Sequence, residues 1–130
     1  MDNFYRENIL DHFRNPHNFG KLPRADSESE EGNPLCGDKI GMQVQLTIDN
    51  EQLIINNIRF TGEGCAISIA SASMLTDKVK GMCAKDVGKL GLEDVVGLLG
   101  ITLTPARIKC ALLPLEVLHT ALAKLPKSSV

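Results

Sequence analysis

A chain of 130 residues can form one domain with its own core, and 43% hydrophobic content with only 4% aromatics makes that core aliphatic. A net charge of −2, with no basic stretch carrying interleaved aromatics, excludes a general drive toward nucleic acid. No run approaches the roughly 18 apolar residues of a membrane span and Met1-Asp2-Asn3-Phe4-Tyr5-Arg6 does not read as a signal peptide, so a soluble, cytoplasmic protein without a membrane partner is expected.

The chain reads as a single domain over 1–130 with an N-terminal helical segment at 1–16. The helix itself is expected over 2–14, with Phe4, Ile9 and Phe13 near one face, and Asn15-Pro16 stops it. From Asn18 to Pro34 the sequence turns polar. Its acidic run Asp26-Ser27-Glu28-Ser29-Glu30-Glu31 alternates enough for a short edge strand but is expected to be mostly loop. Residues 40–48 alternate strictly, Ile40, Met42, Val44, Leu46 and Ile48 against Gly41, Gln43, Gln45 and Thr47, which predicts a strand with one buried face. Asp49-Asn50-Glu51 turns the chain, and Leu53–Phe60 returns antiparallel into the glycine-flanked Gly62-Glu63-Gly64-Cys65. A helix over 65–80 follows, its first turns rich in small residues (Ala66, Ser68, Ala70, Ser71, Ala72, Ser73) that let another backbone approach closely, and Gly81 ends it. Two short helices are expected at 84–90 and 92–99. Thr104-Pro105 opens the last helix, with an apolar stripe of Ile108, Leu112, Leu115, Leu118 and Leu122 and a kink or restart at Pro114. The tail 127–130 is expected to fray.

Chemistry is concentrated in the cysteines at 36, 65, 83 and 110. Without a secretory signal two disulfides are not expected, and no Cys-x-x-Cys pair suggests a zinc finger or a redox couple. Cys65 sits where a helix begins, and unpaired N–H groups there favour a thiolate, the form that ligates metals and attacks sulfur. Cys36-Gly37-Asp38 places a thiol and a carboxylate around a flexible glycine so that both can face one ion, and Lys109-Cys110 sets a cation beside a third thiol. Each signal is weak by itself; together they match the several thiolates and one hard ligand of a soft-ion or cluster site. Cys83 reads as a half-buried structural cysteine, and His12, His17 and His119 as surface, helix-end or packing residues. Gly62-x-Gly64 lacks the third glycine of a dinucleotide fingerprint.

Three ordered segments, Asn33-Pro34-Leu35-Cys36-Gly37-Asp38, Gly62-Glu63-Gly64-Cys65-Ala66-Ile67-Ser68-Ile69-Ala70-Ser71-Ala72-Ser73 and Pro105-Ala106-Arg107-Ile108-Lys109-Cys110, resemble the signature segments of the iron–sulfur cluster assembly scaffold family (IscU, SufU and the N-terminal domain of NifU). The opening Tyr5–Pro16 is similar to that family's first helix. The resemblance covers nearly the whole chain. It implies an α+β fold, a small antiparallel sheet with helices packed on one face, and an exposed pocket faced by Cys36, Cys65 and Cys110 with Asp38 beside them. It further implies a scaffold that takes sulfur from a cysteine desulfurase and iron, builds a transient [2Fe–2S] cluster on Cys36, Asp38, Cys65 and Cys110, and passes it to recipient apo-proteins or carriers. Cys110 and Cys65 are then the candidate sulfur acceptors and Lys109 an auxiliary cation. On this reading the protein is a scaffold or carrier and not an enzyme.

Two features depart from the IscU pattern. Lys109 stands where IscU-type members carry histidine, as in SufU-type members, yet the 45 residues from Cys65 to Cys110 match the IscU-type interval and lack the SufU insertion. The alternatives are therefore a zinc-dependent sulfurtransferase of the SufU kind, with Zn2+ on the same four residues, and a zinc-stabilised interaction module. Leu103-Thr104-Pro105-Ala106-Arg107 replaces the Leu-Pro-Pro-Val-Lys of IscU-type proteins, which argues against an Hsp70-type chaperone as partner.

Overall fold

The computed structural model describes residues 2–34 and 37–125, with side chains from Phe4 onward. Cys36 and the expected fraying of 127–130 lie outside the described residues. The elements in chain order are α1 (Asp2–Arg14), β1 (Ser27–Asn33), β2 (Asp38–Asp49), β3 (Gln52–Glu63), α2 (Ala66–Val79), α3 (Ala84–Val87), α4 (Leu92–Leu99) and α5 (Pro105–Ala123).

The alternating segment forms the middle of an antiparallel sheet ordered β1-β2-β3. Ile40, Met42 and Val44 point into the core, where they meet Ile55, Ile58 and Phe60 of β3. A register shift opposite Gln45/Leu46 lets Ile55 and Ile58, three residues apart, share that inner face. A two-residue turn, Asn50-Glu51, closes the hairpin with both residues at positive φ. The acidic run is a strand and not the expected loop: Ser27–Asn33 pairs with β2 along its whole length. Its alternation suits an edge, since Ser29 turns inward while Glu28 and Glu30 stay in water. α5 covers the outer edge of β1. Ser27 Oγ donates to the Ala121 carbonyl (2.6 Å), Thr120 Oγ1 to Glu31 Oε2 (2.7 Å) and Lys124 Nζ to the Glu28 carbonyl (2.8 Å). An edge covered in this way cannot recruit another strand.

α2 lies at the centre of the helical layer, packed by α1, α4, α5 and β3. Its small residues do what was expected of them: Ser68, Ala70, Ser71, Ala72 and Ser73 are buried, and Ser71 Oγ donates to the Ala111 carbonyl of α5 (2.7 Å). After Gly81 the chain turns back to the sheet, where Ile55 N–H donates to the Met82 carbonyl and Ile54 bridges to Cys83. The half-buried Cys83 is thus an edge residue of the sheet, in line with a structural role. α3 is shorter than the expected 84–90, and α4 matches 92–99. α5 does not restart at Pro114 but runs through it, with Pro114 itself buried.

α1 docks through a different stripe from the one predicted. Phe4 and Phe13 are 72% and 39% exposed, whereas Ile9 is buried between Tyr5 and His12 at helical spacing. The Tyr5 ring lies against Gly100, the left-handed C-cap of α4 (φ 72°), where an added Cβ would stand 2.2 Å from the ring. Gly100→Ala therefore combines an unfavourable left-handed alanine with a clash, a cost of roughly 2–4 kcal/mol. Thermal unfolding should show a lowered midpoint, and adding Tyr5→Ala should recover part of the loss.

The other end of α1 is held by polar contacts, so His12 and His17 are not simple surface residues. The Ser73 hydroxyl accepts the His17 N–H (2.8 Å) and donates to Nδ1 of neutral His12 (2.7 Å). His17 Nδ1 binds Asp77 Oδ2, and Asn18 Nδ2 donates to Asp77 Oδ1 and Thr76 Oγ1. Burial, reinforced by the adjacent His17, holds the His12 pKa below its ordinary value of 6.5 against the opposite pull of Asp77 and Asp11. Burial pushes Asp77 up, but hydrogen bonds from His17 and Asn18 and the nearby imidazoles outweigh it, leaving that carboxyl below 3.8. A depressed histidine stabilises the fold above its unfolded pKa and loses that contribution as pH falls through the folded value. The metal-free protein should therefore lose thermal stability as pH drops below 6.5, with the Asp77 contribution lost only below 3.8. His12→Gln should flatten the first of these declines.

Candidate metal centre

Three elements far apart in sequence bring their reactive groups to one place. Asp38 opens β2, opposite Asn33 of β1. Cys65 is the N-cap of α2, reached directly from the end of β3, and Cys110 lies in the second turn of α5. One carboxylate oxygen of Asp38 and the sulfurs of Cys65 and Cys110 all lie within 4.8 Å of one another. Among the described residues they form the one cluster of three such groups able to share an ion. Cys36, expected beside them, lies outside the described residues.

The carboxylate is held firmly. Asp38 Oδ1 accepts the Cys65 backbone N–H (2.9 Å), so Asp38 satisfies the N-cap donor of α2 from outside the helix. Its other oxygen faces Cys65 Sγ at 3.7 Å. Gly64 makes this approach possible, because a Cβ there would stand 2.3 Å from Asp38 Oδ1. The glycine beside the cysteine thus serves space for a carboxylate more than a sharp turn. Cys65 Sγ also contacts Ser68 Oγ (3.8 Å), and Cys110 Sγ contacts the Ala106 carbonyl (3.8 Å).

The site is less open than the resemblance implies. Asp38 and Cys110 are 2% and 3% exposed, and Cys65 alone of the three is part-exposed. Lys109 is exposed, and lines a surface groove of about 260 Å³ with Glu31, Asn33, Leu112 and Glu116. His119 is remote from the site; its Nε2–H donates to the Val87 carbonyl (2.9 Å), which makes it a packing residue. Ser68, expected only as a small packing residue of α2, also reaches the site, three residues after Cys65 on one helical turn.

Residues 4–130 match the family model of the NifU-like N terminal domain. The chain belongs to that family. It is 38% identical over 144 residues to the zinc-dependent sulfurtransferase SufU of Bacillus subtilis (strain 168), covering 95% of this chain and 92% of SufU. It is 40% identical over 118 residues to the iron–sulfur cluster assembly scaffold protein IscU of Aquifex aeolicus (strain VF5), covering 91% of this chain and 73% of that one. The N-terminal part of a nitrogen-fixing NifU-like protein from Brucella abortus has the same fold, with a TM-score of 0.70 over 94% of both chains at 18% identity. The α+β fold with its small antiparallel sheet is thus the fold of this family. No helix among the described residues is long and apolar enough to cross a membrane.

Proposed function

We propose that this NifU-like domain is an iron–sulfur cluster assembly scaffold: it accepts persulfide sulfur from a cysteine desulfurase, combines it with iron as a labile [2Fe–2S] unit once an external electron donor has reduced each sulfur to sulfide and freed the scaffold thiolate, and hands that unit to recipient proteins. The observation that supports this most directly is the convergence of one carboxylate and two cysteine sulfurs from β2, α2 and α5. Soft thiolates match iron and sulfide, and a single hard carboxylate among them provides an exchangeable corner. The cluster is cargo. Its ligands on this reading are Cys36, Asp38, Cys65 and Cys110.

Sulfur arrives by exchange. A cysteine thiolate attacks the outer sulfur of the desulfurase persulfide, a new S–S bond forms, and the desulfurase cysteine leaves as thiolate. The candidate acceptors are Cys110 and Cys65, and the part exposure of Cys65 gives an incoming persulfide the more direct access. Exposed Lys109 supplies a cation on the adjoining groove where a partner would approach. A carrier of this kind takes up two sulfurs for each cluster and is emptied on delivery, so the chain is proposed as a carrier and not as an enzyme.

A zinc-dependent sulfurtransferase is the second reading, favoured by the relation to SufU and by Lys109. The donor set fits zinc as well. A thiolate at about 2.3 Å and a carboxylate oxygen at about 2.1 Å from a tetrahedral ion stand about 3.6 Å apart, and Cys65 Sγ already lies 3.7 Å from Asp38 Oδ2. Zinc would hold the cysteine sulfurs as thiolates. Against this reading, the 144-residue match to SufU exceeds the 130 residues of this chain, so SufU carries residues within the match that are missing here.

Anaerobic purification with iron, zinc and sulfide analysis separates the two. Sulfide-to-iron charge-transfer absorption is expected; colourless protein with stoichiometric zinc that stimulates a desulfurase would replace the scaffold by the transferase. Asp38→Ala should slow transfer of a reconstituted cluster to an apo-ferredoxin more than it impairs assembly, because the exchangeable ligand is gone. Transfer as fast as wild type would remove that role from Asp38.

A further inference from the structure

We infer that Ser68 is a positioning residue for the metal centre, its hydroxyl turning from the Cys65 carbonyl to the Cys65 sulfur once that sulfur is a ligand. The inference rests on the reading of Asp38, Cys65 and Cys110 as ligands. Ser68 stands one turn into α2 and is fully buried, so no bulk water competes for its hydrogen. Its Oγ donates to the Cys65 carbonyl at 3.1 Å and receives the Cys65 S–H at 3.8 Å. The same hydroxyl lies against Gly64, where an added Cβ would be 2.8 Å away.

In the metal-free thiol, one S–H proton is offered to two acceptors, Ser68 Oγ and Asp38 Oδ2. Metal binding releases that proton to solvent and turns Sγ from a donor into an acceptor. Asp38 Oδ2, as a fellow ligand, has no hydrogen to return. Among the described residues, Ser68 is then the side chain already touching the sulfur with a hydrogen to give. Rotation does not orphan the carbonyl it leaves, because the Ile69 N–H donates to that same Cys65 oxygen (3.2 Å). A buried hydroxyl with a second acceptor one rotamer away costs little to redirect, and a hydrogen bond to charged sulfur in a low-dielectric site is stronger than one to a neutral carbonyl. Supporting hydrogen bonds of this kind orient ligands and tune the bound metal.

Cobalt(II) is the probe for the test. The sulfur-to-cobalt charge-transfer band and the affinity, from competition with a chromophoric chelator, are compared in wild type, Ser68→Ala, Ser68→Thr and Ser71→Ala. Ser68→Ala is expected to move the band to lower energy and weaken cobalt binding on the order of tenfold, within the range for lost supporting groups. Ser68→Thr, which keeps the hydroxyl, should restore the band. Ser71, equally buried but bonded to the Ala111 carbonyl, is the structural control. Ser71→Ala should lower the thermal midpoint and leave band and affinity unchanged. If Ser68→Ala fails to fold, Ser68→Val, the hydroxyl-free isostere of the threonine variant, supplies the same comparison. Wild-type band and affinity in the hydroxyl-free variant would overturn the role of Ser68 while leaving the metal centre intact. A wild-type chain that takes up no cobalt would overturn the ligand set, and this inference with it.

Discussion

Cys65→Ser and Cys110→Ser should each abolish retention of a reconstituted cluster or of zinc, while Cys83→Ser keeps wild-type stoichiometry. Serine replaces a soft sulfur with a hydroxyl that stays protonated at neutral pH, so the ligand is lost although the side chain is nearly isosteric. Cys65 and Cys110 share the cluster with Asp38, whereas Cys83 sits at the start of α3 against Ile54 of the sheet. Cys36→Ser, assigned by the family resemblance, is expected to match the first two. Iron, zinc and sulfide are measured after anaerobic reconstitution and desalting. Equal loss in Cys83→Ser would sink the assignment, because a general loss of fold would then explain all the variants.

Gly64→Ala should weaken the site without abolishing it, through a single methyl group. The new Cβ would stand 2.3 Å from Oδ1 and 2.8 Å from Cγ of Asp38, and 2.8 Å from Ser68 Oγ. The carboxylate must then leave the Cys65 N–H, taking with it both the cap of α2 and the third ligand. Gly64 does not have a positive φ, so alanine adds no backbone strain and the effect is steric. Metal affinity should fall by about tenfold to a hundredfold, against a modest change in the thermal midpoint of the metal-free protein. Gly64→Ala binding metal as tightly as wild type would show that the Asp38 anchor is dispensable.

What the sequence disclosed follows from how local each cause is. The strict alternation of 40–48 and the small-residue opening of α2 are local signals, and both elements lie where expected. β1 was hidden because its acidic alternation looks like a solvated loop until β2 and α5 are in place to pair and cover it. The run of α5 through Pro114 is a tertiary effect of the same sort, since a buried, packed helix can lose one ladder bond and continue. The positions of Cys65, Cys110 and Asp38 were readable from their motifs. Their burial was not, nor was the anchoring of Asp38 on the Cys65 N–H, because both depend on how three distant segments meet.

That meeting has a topological consequence. Asp38 and Cys65 are 27 residues apart, and Cys110 follows 45 residues later. An ion or cluster held by all three ties two long chain loops shut, as a reversible cross-link among described cysteines that form no disulfide. Cargo loading then tightens the whole molecule, because binding to the folded form alone draws the folding equilibrium with it. Delivery withdraws that added stability, while the Asp38 bond to the Cys65 N–H keeps β2 and the start of α2 together in the emptied scaffold. A recipient that opens the seam between sheet and helices would loosen every tie to the cargo in a single movement.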